Sequence, residues 1–259
     1  MNQSERRQFL IRELLQEEPE YREMAVPADA EDQKYLLRGL LNVRPPRQLP
    51  QRFLAEQDAY LKEETAKKGV VSLDDLTPIE PGIYLWQGDI TALRCDAIVN
   101  AANSGMTGCY YPNHRCIDNC IHFYAGAELR LACAEMMEQQ GHPEPTGQAK
   151  ITPAFNLPCN YILHTVGPIV SGRLTKKHCE QLKSCYRSCL ELAAEHGLES
   201  VAFCCISTGE FHFPNEKAAE IAVETVREFL KQNTSVKKVV FNVFKDLDKE
   251  IYTGLFGRC

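Results

Sequence analysis

From Gly82 onward, short apolar runs alternate with helical patterns of about ten to twenty residues, and this alternation restricts the fold more than any other feature of the chain. GIYLWQGDI reads as a strand with a turn at Gly88-Asp89, and Cys95–Asn100 as a second strand. Ile121–Gln140 reads as one helix stopped by Gly141 with Pro143 beyond. Ala149–Ile151 and Tyr161–Val166 are expected strands, and Thr175–His196 a helix closed by Gly197. Val201–Ile206 is apolar throughout, as a strand buried on both faces should be. Asn215 is placed as the cap of a helix running to Gln232, followed by a strand at Val239–Phe244 and a short helix from Leu247. Such an order implies an α/β fold with a parallel or mixed sheet covered on both sides. Ligands of these folds lie beyond the strand ends, where loops converge.

Residues 1–75 differ from this pattern. Phe9, Leu10, Leu14 and Leu15 recur at helical spacing, as do Leu36, Leu37, Leu40 and Leu41 before Pro45-Pro46. Phe53, Leu54, Tyr60 and Leu61 continue the pattern to Gly69. The expected organisation is a helical N-terminal extension (1–75) docked on a second domain (76–259). A net charge of −6 argues against a general nucleic-acid partner. The first residues contain no apolar signal core, and no run is long enough to span a bilayer, so a cytoplasmic location is expected.

Twelve cysteines in a reducing compartment point to metal or catalytic use rather than a disulfide framework. Cys95, Cys133, Cys185, Cys189, Cys204 and Cys205 sit in apolar patterns and read as small core residues. Cys109, His114 and Cys116 instead fall within eight residues of an exposed-looking loop, Asn100–His122, between a strand and a helix. Two thiols and an imidazole suit zinc and leave one position of a tetrahedral ion open. Cys120 is the nearest fourth ligand, but its apolar setting makes a closed site the lesser reading. His122 and His164 read as satisfied core histidines. Asp118, two residues beyond Cys116, is either a helix-terminus partner or a group that orients or deprotonates water. Asp89 at a strand end, Asn100 and Asn103, and Ser207–Phe211 are each compatible with a nucleotide, yet each is common in ordinary turns.

Taken together, these pieces resemble the macrodomain family. They are Gly88-Asp89-Ile90, DAIVNAAN, IDNCIH-x3-G ending at Gly126, TGQAKIT, YILHTVGP and ISTGEF, in the family's order over residues 80–256. The resemblance implies a three-layer α/β/α fold with a central mixed sheet that binds ADP-ribose. It implies that Asp89 and Ile90 meet the adenine, that Ser207, Thr208, Gly209, Glu210 and Phe211 wrap the diphosphate, and that Phe244 packs on the adenine. Asn103 and Asp118 fall at the distal-ribose asparagine and catalytic aspartate of hydrolytic members. Those members carry glycines before the aspartate; Asn113-His114-Arg115-Cys116 stands there instead, which resembles the zinc-dependent microbial branch with its helical extension. The function implied is a protein-ADP-ribose hydrolase with one Zn2+ per chain at Cys109, His114 and Cys116. Implied partners are a mono-ADP-ribosylated protein such as a lipoyl-carrier protein, ADP-ribose, and a sirtuin-like ADP-ribosyltransferase. A non-catalytic ADP-ribose reader, a hydrolase of free ADP-ribose derivatives and a purely structural zinc are the alternatives.

Overall fold

The computed structural model describes residues 1–257. Three helices come first: α1 (Gln3–Glu17), capped by Asn2, α2 (Ala30–Val43), capped by Asp29, and α3 (Gln51–Lys68). Leu10, Ile11, Leu14, Leu15, Leu37, Phe53 and Leu61 of these helices form a core of their own, which Phe123 of a later helix closes. The extension therefore buries its apolar stripes mainly against itself, with Phe123 and the half-buried Tyr124 joining its core from the rest of the chain. It docks further through polar contacts such as Gln57 Nε2 to Glu128 and Asn156 Nδ2 to Asp58.

The chain then forms β1 (Val71–Ser72), β2 (Ile83–Gln87), β3 (Leu93–Arg94) and β4 (Ala97–Ala102). Helices α4 (Ile117–Ala125) and α5 (Ala127–Gln140) lead to β5 (Ala149–Pro153) and β6 (Tyr161–Val166). The remainder is α6 (Lys176–Glu195), β7 (Ser200–Phe203), α7 (Asn215–Leu230), β8 (Lys238–Val243) and α8 (Asp246–Phe256). The pairing of β1 with β3 carried no sequence signal, since two residues show no periodicity.

Six strands make the main sheet in the order β2-β8-β7-β4-β6-β5, parallel except for the antiparallel β5–β6 pair. Helices α4 and α5 pack on β4 and β5, and α6, α7 and α8 pack together on the opposite side, which gives the three-layer α/β/α architecture. Both faces are covered, so β4, β7 and β8 are buried on both sides, as the run at Val201 foretold. The strand at that run is nevertheless shorter than expected, ending at Phe203. Strands β4 and β7 pair only at Ala97–Val201 and Ile98–Ala202. Beyond that point they diverge, and Cys204, Cys205 and Ile206 leave the sheet. The chain departs from β4 to one face and from β7 to the other, so a crevice opens between them at the carboxyl ends of the strands.

Two helix boundaries also differ from expectation. Asn215 is the first helical residue, with Pro214 at the cap. The single helix expected at Ile121–Gln140 is two, α4 and α5, because Gly126 adopts φ 101°, ψ 172°, a conformation almost confined to glycine. That break turns α5 away and starts α4 earlier, with Cys116 as its cap. A Cβ at Gly126 would also lie 2.8 Å from Gln57 Nε2 and 2.9 Å from Asn156 Nδ2. Among the described residues, no helix is long and apolar enough to cross a membrane.

Gly126→Ala is therefore expected to lower the free energy of unfolding by about 1–3 kcal/mol. Urea denaturation followed by circular dichroism reads this directly, and an unchanged midpoint would show that the α4–α5 corner tolerates a side chain.

Candidate active site and metal centre

The register of β4 against β6 places Asn100 beside His164, so both side chains point to the same face, under α4 and α5. The fully buried Asn100 amide donates to Asp118 Oδ1 at 2.8 Å and lies 3.2 Å from His164 Nδ1. An Nδ1 that accepts leaves the proton on Nε2, which faces Thr152 Oγ1 at 2.9 Å. His164 is thus a satisfied core histidine, and burial depresses its pKa to about 3. His122 is different. It is buried, but neither ring nitrogen has a hydrogen-bond partner, and Nε2 sits 3.6 Å from Asp118 Oδ1. Burial holds its pKa well below the usual histidine value, so it meets the carboxylate as a neutral ring. The buried trio His122, Cys133 and His164 is compact, yet His164 has both nitrogens engaged by Asn100 and Thr152, which disfavours it as a metal ligand set.

Asp118 lies in the first turn of α4 and is 5% exposed. Burial raises its carboxyl to about 6, against the pull of the Asn100 amide, the Arg130 charge and the Asn103 amide. Asn103 Nδ2 reaches Asp118 Oδ2 at 3.3 Å and Gly108 O at 3.0 Å, while its Oδ1 accepts from Gly105 N–H at 2.9 Å. The asparagine predicted to hold a sugar therefore sits against the aspartate predicted to act on it. Gly108 (φ 85°) lets the loop lie on the His122 ring, where a Cβ would come within 2.7 Å of Cγ.

Beyond Gly108 the loop brings Cys109, His114 and Cys116 together, with ligand atoms all within 4.8 Å of one another and each residue half-buried. Cys109 Sγ stands 3.5 Å from His114 Nδ1. Cys116 Sγ accepts the Asn119 N–H at 3.4 Å as the α4 cap. Its thiol is pushed up to about 12, first by burial and then by the neighbouring Cys109, a crowding of soft donors that a cation would relieve. Every described cysteine is free. The donor set therefore fits a soft or borderline divalent ion, with room for one further ligand. Cys120 stands apart, with its sulfur 3.3 Å from Arg38 Nη2.

The other predicted residues follow the carboxyl ends of the parallel strands β2, β7 and β8. Asp89 caps a short 3-10 turn at Ile90–Ala92: Oδ1 accepts from Thr91 N–H at 3.0 Å and Thr91 Oγ1 at 2.6 Å. Lys68, at the end of α3, reaches Oδ2 at 2.6 Å. Burial works against ionisation of Asp89, but Lys68 and Thr91 outweigh it and hold the carboxyl below its usual value. Ile90 is buried. Ser207 is left-handed at φ 65°, and its loop is tied by Phe213 N–H to Ser207 O at 3.0 Å and Val170 N–H to Phe211 O at 2.9 Å. Gly167 touches it so closely that a Cβ would fall 2.0 Å from Ser207 Oγ, itself buried without a partner. Glu210 Oε1 approaches His114 Nε2 at 3.6 Å, bringing the Ser207–Phe211 loop up to the Cys109–Cys116 loop. Phe244 follows β8 and is 75% exposed, a large aromatic face left open to solvent. Lys68, Arg38, Asn42 and Arg130, which buttress these groups, escaped the sequence reading: each sits on a helix in a pattern that marks only a polar position.

The Macro domain family profile matches residues 99–222. A protein-ADP-ribose hydrolase of Treponema medium is 57% identical, over 99% of this chain and 100% of its own. One of Staphylococcus aureus is 49% identical, over 98% and 96% respectively. The crystal structure of the Trypanosoma brucei macrodomain in complex with ADP-ribose superposes with a TM-score of 0.65 at 30% identity, covering 81% of this chain and 91% of that one. An α/β/α sheet with its crevice at the β4–β7 divergence, and relatives this similar over their whole length, define the class: the chain belongs to the macrodomain family. Within that class, its full-length likeness is to proteins named protein-ADP-ribose hydrolases.

The buried neutral histidines have a consequence for acid stability. Between pH 6.5 and 3 the unfolded chain binds a proton at position 164 that the folded chain refuses, so stability falls as pH falls through that window. At pH 5 the loss from His164 is about 2 kcal/mol, from a shift worth about 1.4 kcal/mol per pH unit. His164→Gln should therefore lose about 2 kcal/mol less than wild type when taken from pH 7.5 to pH 5. Chemical denaturation at both pH values tests this, and equal losses would mean that His164 is not held neutral.

Proposed function

We propose that the chain is a zinc-dependent protein-ADP-ribose hydrolase that removes mono-ADP-ribose from modified side chains, with the catalytic domain at 76–259 and the helical extension at 1–75. One observation carries this reading: Cys109, His114 and Cys116 converge on the loop that also delivers Asp118 and Asn103 to the crevice. Relatives spanning the whole chain bear the corresponding name.

The adenine end would lie at Asp89, Ile90 and Phe244. Asp89 can accept from the adenine amine through the lone pairs that Thr91 and Lys68 leave free, and the exposed Phe244 ring can pack on the base. The Ser207–Phe211 backbone, small and turned at Ser207, would wrap the diphosphate with its N–H groups, and Phe211 would meet the distal ribose. Asn103 would donate to a distal-ribose hydroxyl once its bond to Asp118 is exchanged. Zn2+ held by Cys109, His114 and Cys116 would act as a Lewis acid toward an oxygen at its open position. Asp118 would take a proton from the attacking water. The new bond joins that oxygen to the anomeric carbon, while the bond to the protein side chain breaks and its electron pair leaves with the side chain, which is then protonated. The Asn100 amide keeps Asp118 aimed through this exchange. A cytoplasmic setting accords with the free cysteines. The family resemblance carries the remaining proposal: a lipoyl-carrier protein as the modified substrate and a sirtuin-like transferase as the enzyme that modifies it.

Purified chain should contain one zinc and release ADP-ribose from a mono-ADP-ribosylated protein, and a chelator should stop release. Asp118→Ala with zinc retained should lose about 10²–10⁴-fold in kcat. Tight binding with no release would make the protein a reader instead, and turnover only of free ADP-ribose derivatives would move the substrate. Separately, Gly167→Ala should weaken ADP-ribose binding by displacing Ser207 while leaving zinc content unchanged. Titration calorimetry with ADP-ribose measures this, and unaltered affinity would remove the Ser207 loop from the site.

A further inference from the structure

The metal loop has few internal restraints. Its described backbone bonds include one inside the loop, His114 N–H to Tyr111 O at 3.2 Å, and Asn119 Nδ2 bonds Tyr111 O at 3.0 Å. What holds it from behind is α2, nearly eighty residues earlier in the chain. Arg38 Nη2 donates to His114 O and to Asn119 Oδ1, both at 3.0 Å. One turn on, buried Asn42 Oδ1 accepts the N–H of Asn113 at 2.9 Å. Asn113 is left-handed at φ 57°, a conformation asparagine tolerates better than other non-glycine residues, and the Asn42 bond fixes its N–H there. Between Arg38 and Asn42, Gly39 lets the loop seat directly on the helix: a Cβ there would lie 3.0 Å from Asn113 Nδ2 and 3.8 Å from Pro112 Cβ. Glycine in a helix interior weakens the helix, so its presence where the loop comes closest is what a contact surface requires.

The other end of the contact is locked from α5. Arg130 Nη1 donates to the carbonyls of Asn42 at 2.7 Å and Arg44 at 2.6 Å, capping the carboxyl end of α2. Its guanidinium also lies 4.2 Å from the centre of the Tyr110 ring, next to Cys109. One side chain therefore joins the helix terminus to the start of the metal loop.

We propose that α2 is a clamp that preorganises the metal loop, with Arg38 and Asn42 as positioning residues and Gly39 as the point of contact. This rests on the reading of Cys109, His114 and Cys116 as the metal site. The clamp sets the spacing of the three donors before the ion arrives, so the cost of ordering an eight-residue loop is met by folding rather than by binding. The helical extension thereby becomes part of the active site without touching substrate.

The full chain, loaded with zinc, is mixed with excess chelator, and zinc release is timed for wild type, Gly39→Leu, Asn42→Ala and Asn42→Asp. Leucine is a far better helix former than glycine, so any loosening in Gly39→Leu comes from the loop and not from α2. Gly39→Leu and Asn42→Ala should release zinc at least about tenfold faster, the scale of outer-shell effects on metal affinity. Asn42→Asp keeps the acceptor for Asn113 N–H and should restore slow release. Hydrogen exchange provides a readout that needs no metal: in the metal-free chain the Asn113 amide should lose protection in Gly39→Leu and Asn42→Ala, with the thermal midpoint nearly unchanged. Equal release and equal Asn113 protection across the series would overturn the clamp. A wild-type chain that binds no zinc would overturn the metal reading, and Asn113 protection alone would then decide the clamp.

Discussion

The site depends on the amide of Asn100, which is fully buried within the central strand β4 and donates to the carboxylate in the first turn of the next helix. A carboxylate this deeply buried is stable only with such partners. Asn100 contributes one to Asp118, Asn103 contributes another, and the Arg130 charge supports both. The same Asn100 amide engages His164 on the neighbouring strand, so the sheet register and the aim of Asp118 are one constraint. A one-residue slip of β6 would take His164 to the opposite face and leave the amide with half its partners.

From that anchor the chain reaches the Cys109–Cys116 loop in a few residues. Two glycines give it the shape it needs. Gly108 lets the loop cross the face of His122, and Gly126 ends α4 so abruptly that α5 can turn back and bring Arg130 to α2. The result is a short helix with Asp118 and the cap Cys116 at its amino end, the end where the backbone N–H groups favour negative charge. The Cys116 thiol and the Asp118 carboxyl share that position, so one candidate metal donor and the candidate base are held by a single helix terminus.

The crevice itself comes from the sheet. Strands β4 and β7 pair for only two residues before the chain leaves to opposite faces, and loops from both strands meet over the gap. The approach of Glu210 to His114 is the visible sign of that meeting, joining the loop after β7 to the loop after β4. Lys68 on Asp89 and Arg38 behind His114 show the extension reaching both the loop after β2 and the loop after β4.

Much of this was legible in the sequence for local reasons. Period and turn residues placed the sheet strands and the helices, because burial on two faces or on one stripe leaves a pattern in consecutive residues. The convergence of Cys109, His114 and Cys116 was readable because they are close in the chain, so their donor chemistry coincides with their spacing. His122 was misjudged as satisfied, since burial is visible in a sequence pattern while a missing partner is not. The break at Gly126 was absorbed into one helix because both halves keep an apolar face, and only backbone dihedrals distinguish a corner from a continuation. What the sequence determined by itself was the alternation, the nucleotide-like loops and the donor set. The tertiary structure alone decided which distant side chains hold them, Lys68 on Asp89, Asn42 on Asn113 and Arg130 on α2. Those contacts join residues separated by 21 to 88 positions, and the energy of each depends on where folding places its partner, not on its neighbours in the chain.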